Sequence, residues 1–264
     1  MKKKYLYYPG CTLKTKAKEL DMYALKSLKI LGIEVEEFED WQCCGAVYPQ
    51  TTDEIAARLS AVRVLELARR NGQNLLTLCS ACHHVLKRVN SDMRLSRDIR
   101  QKVNNYCEFE SPYGGETNVV HFFELLRDDI TFEKLKKHVP KPITNKKIGA
   151  YYGCLLLRPG DTMQFDDPEN PAIIEDFLKA IGAETIQYTY RNECCGAYTA
   201  IENEKLTQKL CGNIISSCKQ KSIEALVTAC PLCRYNLTKN APAETLPVYY
   251  FTQLLAEALG VGSL

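Results

Sequence analysis

Residues 75–82 read LLTLCSAC and residues 226–233 read LVTACPLC. In both, a short apolar run of the kind that forms a buried strand ends on a C-x-x-C. Working outward from these segments, the whole chain falls into two copies of one pattern. The first copy places Cys11, then Cys43-Cys44-Gly45, then Cys79 and Cys82; the second places Cys154, then Cys194-Cys195-Gly196, then Cys230 and Cys233. From the cysteine pair to the C-x-x-C is 36 residues in each copy. The neighbours match as well: QCCGA with ECCGA, and VVHFFELL with VYYFTQLL. Cys11 (YYPGC) and Cys154 (AYYGC) are therefore the same position, used twice.

Each copy reads strand, helix, four times over. KYLYY is a buried-strand run; Leu20, Ala24, Leu28 and Leu31 then form a helical stripe stopped by Gly32. IEVEEFE alternates like a half-exposed strand and leads to Cys43. Thr51 and Glu54 form a capping box for a helix carrying Ile55, Leu59, Val62 and Leu65, with Gly72 as its stop. NLLTL is the next strand, and the second copy repeats the series with KIGAYY, AETIQYTY and EALVTA. The fold class expected is α/β: two pseudo-twofold-related βα repeats, each with a small parallel sheet and right-handed crossovers. In such sheets ligands sit beyond the carboxyl ends of the strands, and every repeated cysteine motif follows a strand. Three loops would bring five cysteines together in each copy.

The expected division is 1–142 and 143–264, with the boundary at HVPKPITNK, where Pro140 and Pro142 break any helix. Cys11 to Cys43 spans 32 residues but Cys154 to Cys194 spans 40, the excess falling around RPGDTMQFDDPENP. Cys82 to His121 spans 39 against 17 from Cys233 to Tyr250, the excess lying near DMRLSRDIRQKVNNYCEFESPYGG. Both insertions are expected as surface loops.

The chain has 264 residues, 45% apolar and 25% charged, with a net charge of +2. No basic block or basic–aromatic interleaving marks a nucleic-acid surface. No apolar stretch approaches the roughly 20 residues that cross a bilayer, and the basic start is broken by Pro9-Gly10 before it can form a signal peptide. A cytoplasmic protein is expected. Its 13 cysteines are an odd number and, without an export signal, read as metal ligands or redox groups rather than disulfides.

Four thiolates satisfy a structural zinc ion, which leaves a fifth cysteine unused in each copy. Adjacent cysteines in extended backbone point to opposite faces and suit a multi-atom centre, or a thiol–disulfide pair, better than one small ion. An ordinary [4Fe-4S] cubane also takes four, so a repeated set of five points to an unusual cluster or an exchangeable ligand. Cys107, Cys211 and Cys218 fall outside the repeat, and Cys211 and Cys218, seven apart on one helix face, read as small core residues. His83, His84 and Arg234, just after the C-x-x-C motifs, are candidate proton donors or anchors for a product thiolate, against the plainer reading of polar helix starts. His121 aligns with Tyr250 as a packed strand-end residue. Lys14, Lys16 and Lys18 read as a solvated helix face that could attract an anion, and Arg158 with FDDPENP as part of the second insertion.

Two copies of C-x(n)-C-C-G-x(m)-C-x-x-C, together with YYPGC, DWQCCGA, YYGCLLLRPG, FDDPENP and ACPLCRYNL, are similar to the cysteine-rich CCG family over essentially the whole chain. Within that family the chain resembles the B component of heterodisulfide reductase (HdrB). The resemblance implies two noncubane [4Fe-4S] clusters, one on Cys11, Cys43, Cys44, Cys79 and Cys82, the other on Cys154, Cys194, Cys195, Cys230 and Cys233. It implies reduction of a small-molecule disulfide to two thiols, with electrons from an iron-sulfur protein like the reductase's C component (HdrC) and, through it, a flavoprotein like its A component (HdrA). No GxGxxG occurs here, so no flavin or nucleotide is expected on this chain. The competing class is a CCG electron-transfer subunit of a quinone-linked, lactate-oxidising or succinate/fumarate system. A zinc-stabilised scaffold is the third.

Overall fold

The computed structural model describes residues 5–46, 53–241 and 246–262. The first half runs β1 (Tyr5–Tyr8), α1 (Gly10–Leu13), α2 (Lys18–Ile30), β2 (Val35–Glu37), α3 (Ala56–Arg70), β3 (Asn74–Thr77), α4 (Ser80–Leu95), α5 (Arg97–Cys107), β4 (Val119–His121), α6 (Phe122–Leu125) and α7 (Phe132–Lys137). The second runs β5 (Lys147–Ala150), α8 (Gly160–Met163), α9 (Ile173–Ala180), β6 (Glu184–Thr185), α10 (Glu204–Gln220), β7 (Ala225–Thr228), α11 (Pro231–Lys239), β8 (Val248–Tyr250) and α12 (Phe251–Ala258). Two four-stranded sheets result, ordered β2-β1-β3-β4 and β6-β5-β7-β8, with every pairing parallel. The doubled α/β architecture read from the sequence is what the chain adopts.

The central strands β1, β3 and β7 are buried along almost their whole length, as apolar runs covered on both faces should be. The outer strands are shorter than their sequence runs: β2 keeps three residues of IEVEEFE and β6 two of AETIQYTY. Both pair on one side only, so less of each run is held extended. Leu20, Ala24 and Leu28 form the buried stripe of α2, and Val62 and Leu65 that of α3. Thr51 lies outside the described residues; Asp53 Oδ1 accepts from the Ile55 and Ala56 amides at 2.9 Å each, as an acidic helix start should.

The first insertion is helical. Ser96 Oγ accepts from the Ile99 amide at 3.3 Å, opening α5. The chain beyond is pinned by Asn104, whose side chain bonds both the amide and the carbonyl of Tyr113. Tyr113 is fully buried and donates to Asn90 Oδ1 at 2.5 Å. The sequence of α5 is strongly polar with Val103 as its one buried residue, which is why composition reads it as loop.

The halves share a core. Helix α12 packs along α2, and α6 and α7 pack on α9, so each half's terminal helices cover the other half. At the crossing, the rings of Phe122 and its repeat equivalent Phe251 meet at a tilt with centroids 5.4 Å apart, and the Phe123 ring lies 4.2 Å from that of Phe251. Contact between equivalent residues places the pseudo-twofold axis there. Each fully buried Phe contributes about 1.5–3 kcal/mol relative to exposure, so this aromatic contact anchors the two sheets together.

Candidate metal centre

The sequence sets each thiol by the same devices in both halves. After β1 and β5 the chain turns at Gly10 (φ +70°) and Gly153 (φ +64°), conformations that residues with a Cβ rarely adopt. A Cβ on Gly10 would stand 2.9 Å from Cys82 Sγ, and one on Gly153 would stand 3.1 Å from Cys233 Sγ. The glycine before Cys11 and Cys154 is thus the space into which the C-x-x-C sulfur fits. Tyr8 Oη donates to the Gln42 carbonyl at 2.6 Å and its equivalent Tyr151 to the Glu193 carbonyl at 2.7 Å. These carbonyls immediately precede the cysteine pairs, so the tyrosine hydroxyls hold the second loop against the first. The pairs end at Gly45 (φ +81°) and Gly196 (φ +76°), and the Gly196 amide donates to Cys194 Sγ at 3.3 Å.

In each half, thiols from different loops of the repeat lie close to one another. Cys11 and Cys43 sulfurs are 3.7 Å apart and those of Cys44 and Cys82 3.4 Å apart. In the second set the Cys195 and Cys233 sulfurs are 3.7 Å apart, and all the cysteines of both sets are free thiols. Cys79 and Cys230 occupy the N-cap positions of α4 and α11. Side-chain hydrogen bonds with Cys43 and Cys82 pull Cys44 down to about 4, and one with Cys154 pulls Cys194 down to about 6. Cys43 and Cys154 move the other way, raised chiefly by those same bonds and by burial. Each set therefore gives up protons unequally, as coupled thiols must.

Five thiols in each repeat, with an amide N–H directed at Cys194, fit an iron-sulfur cluster in donor type and number. Among the described residues, no group of three or more His, Cys, Asp or Glu side chains is arranged to hold a single metal ion.

Cys211 and Cys218 are fully buried on α10, packed with Ile214 and Ile215, while Cys107 is half-buried at the end of α5. His83 is also fully buried, with Nδ1 3.0 Å from Thr77 Oγ1 and its ring against His121 and Phe165. His84 Nδ1 lies 3.0 Å from the Leu155 carbonyl and lines a cavity of about 260 Å³ with Gly45, Arg88 and Tyr198. Arg234 stacks 4.4 Å above Tyr250, bonds the Val248 carbonyl and pairs with Glu19 at 3.1 Å. It borders a cavity of about 400 Å³ between α11 and the Thr12–Lys16 turn. Lys14 is held by Asp21 and Glu37 at 3.3 and 2.7 Å.

Two features escaped sequence reasoning. Tyr198, three residues beyond Cys195, is half-exposed; burial first, then charge on Cys230 and Cys154 of one set and Cys44 and Cys79 of the other, raises its phenol. Burial raises the Tyr250 phenol, against the lowering effect of the Arg234 guanidinium beside it. The second insertion braces the approach to Cys194. Arg158 bonds the Asn192 carbonyl, Asn192 bonds the Pro168 carbonyl, and Arg191 is clamped by Glu175, Asn170 and the Pro171 carbonyl. The juxtaposition of RN with ECCGA was the available signal.

The family model described as a cysteine-rich domain, CCG, matches residues 5–87 and 148–238. The chain is 32% identical over 99% of its length, and 94% of the relative's, to the 8-methylmenaquinol:fumarate reductase membrane anchor subunit of Wolinella succinogenes. It is 26% identical to the B component of the ferredoxin:CoB-CoM heterodisulfide reductase of Methanosarcina mazei, covering 95% of this chain and 87% of that one. The B component of the ferredoxin/F(420)H(2)-dependent CoB-CoM heterodisulfide reductase of Methanosarcina acetivorans is 24% identical over 96% of this chain and 88% of its own length. A hypothetical protein from Helicobacter pylori shares the fold, with a TM-score of 0.75 at 12% identity over 98% of this chain; the chain spans about half, 49%, of that solved one. Among the described residues no helix is long and apolar enough to cross a membrane. With both of its cysteine blocks matched and its thiols gathered in two equivalent sets, the chain belongs to the cysteine-rich CCG domain family of iron-sulfur oxidoreductase subunits.

Proposed function

We propose that this chain is the disulfide-reducing subunit of a heterodisulfide reductase-like complex, with noncubane [4Fe-4S] clusters on the two five-cysteine sets. The observation that carries the reading is the closeness of the two sets: His84, two residues beyond Cys82, has Nδ1 3.0 Å from the carbonyl of Leu155, the residue after Cys154. Cleaving a disulfide takes two electrons and two protons and releases two thiols, and two neighbouring sites divide that demand equally. Bound clusters would supply the one-electron chemistry. The chain's own part is to hold the sites at fixed separation through the Phe122–Phe251 contact and to line the cavity beside them with His84, Arg88 and Tyr198. Electrons would come from an HdrC-like iron-sulfur protein fed by an HdrA-like flavoprotein.

The 32% relative favours a second reading, transfer of electrons within a quinol- and fumarate-linked system. Anaerobic purification with iron and sulfide analysis, and paramagnetic resonance with and without added thiols, separates the two. About eight iron atoms per chain and a thiol-dependent signal support disulfide reduction. A signal indifferent to thiols, with no disulfide-dependent reoxidation, moves the assignment to electron transfer. Cys44→Ala and Cys195→Ala should each remove about half of the iron, on the stoichiometry of one cluster per set.

A further inference from the structure

One buried contact of the second thiol set has no counterpart in the first. In the second half Asn236, only 2% exposed, directs its side-chain nitrogen at Cys195, 3.2 Å from the carbonyl oxygen and 3.7 Å from Sγ. The amide cannot easily turn round, because its oxygen accepts from Asn240 Nδ2 at 3.1 Å. Cys211 Sγ also donates to the Cys195 carbonyl, at 3.5 Å. The repeat-equivalent position of Asn236 on α4 is Val85, an apolar side chain that can donate nothing. Among the described residues, Cys44 receives no side-chain amide or hydroxyl.

A fixed N–H dipole aimed at a ligand sulfur stabilises the state with more negative charge, and in a buried site it does so at low dielectric. Hydrogen bonds to the sulfurs are among the factors that set cluster potentials. We infer that Asn236 is a positioning residue that raises the reduction potential of the second site above that of the first, so that the first electron settles on the Cys154–Cys233 set. This rests on the reading that both sets hold iron-sulfur clusters. The duplication then yields an ordered pair of sites, one filled before the other, from two nearly identical loops.

The test is an anaerobic potentiometric titration of the full-length, cluster-loaded protein, followed by paramagnetic resonance, with iron counted in every sample. Wild type should show two separated potentials, the higher one missing from Cys195→Ala. Asn236→Val, which copies the first half, should lower the higher potential and leave the other in place. Val85→Asn should raise the lower one, and it decides the matter if Asn236→Val does not fold. Full iron with both potentials unmoved in the two variants overturns the inference while leaving the two-cluster reading intact. Wild type with too little iron for a second cluster overturns both, and the iron count tells these failures apart.

Discussion

The first and second halves share a sheet order, a glycine-cradled thiol and a tyrosine that ties two loops together, yet the side chains around those features have diverged. Beside the first set, His83 and His121 stack edge to face with centroids 5.2 Å apart, both fully buried. At the equivalent positions of the second half, Arg234 lies over Tyr250 and reaches Glu19. Burial holds the His121 imidazole down to about 3, so that pair is neutral, whereas the arginine is charged. Among the described residues, the buried Arg191–Glu175–Tyr152 network of the second half has no counterpart in the first. Duplication conserved what places sulfur, and left free what surrounds it.

The largest break in this comparison should come from Arg191→Ala. Arg191 and Glu175 are 6% and 2% exposed, and removing one partner strands a buried charge. A loss of about 3–5 kcal/mol in denaturant unfolding is expected; a loss under about 1 kcal/mol would show the network to be dispensable. The glycine cradles come next. Gly10→Ala and Gly153→Ala each combine a positive φ with a close sulfur, at about 1–3 kcal/mol, with Gly10 the worse because its contact is the tighter. Iron should fall in the matching half, and retention of full iron in both variants would refute the cradle.

The histidine side of the comparison is sharpened by pH. His121 has an ordinary value of 6.5 and a folded value of about 3, so the unfolded chain binds the extra proton between those limits. Its contribution is complete above pH 6.5 and declines as the pH falls towards 3, by up to about 1.4 kcal/mol per pH unit. Cluster-free protein should lose stability along that slope, and His121→Asn should flatten it; an unchanged slope would mean that the imidazole is not held neutral. The smallest effect belongs to Lys14→Ala. Its partly exposed pairs with Asp21 and Glu37 are worth about 0–1 kcal/mol. Both cluster potentials should stay put, and movement of the first would give Lys14 an electrostatic role there.

What the sequence made legible follows from which signals are local. Strand runs, helix stripes and cysteine spacing each occupy a few consecutive residues, and their repetition exposed the doubled sheet and the grouping of thiols. The fit of Cys82 against Gly10 joins residues 72 positions apart, and nothing in YYPGC announces which sulfur fills the space. Helix α5 hid because its polar composition resembles a loop and its order comes from Ser96, Asn104 and Tyr113. Asn236 stood among the residues after C-x-x-C, but its pairing with Asn240 and Cys195 became visible only once α11 was placed.

The packing of α12 on α2 has a consequence for how the molecule is made. Thr252 Oγ1 bonds the Leu20 carbonyl across 232 positions of sequence. A ribosome delivers the first half before α12, so the face of α2 that α12 covers is bare until that helix emerges. The early half thus waits as an open shell on a helix made much later, and removing α12 would strip cover from the opposite half.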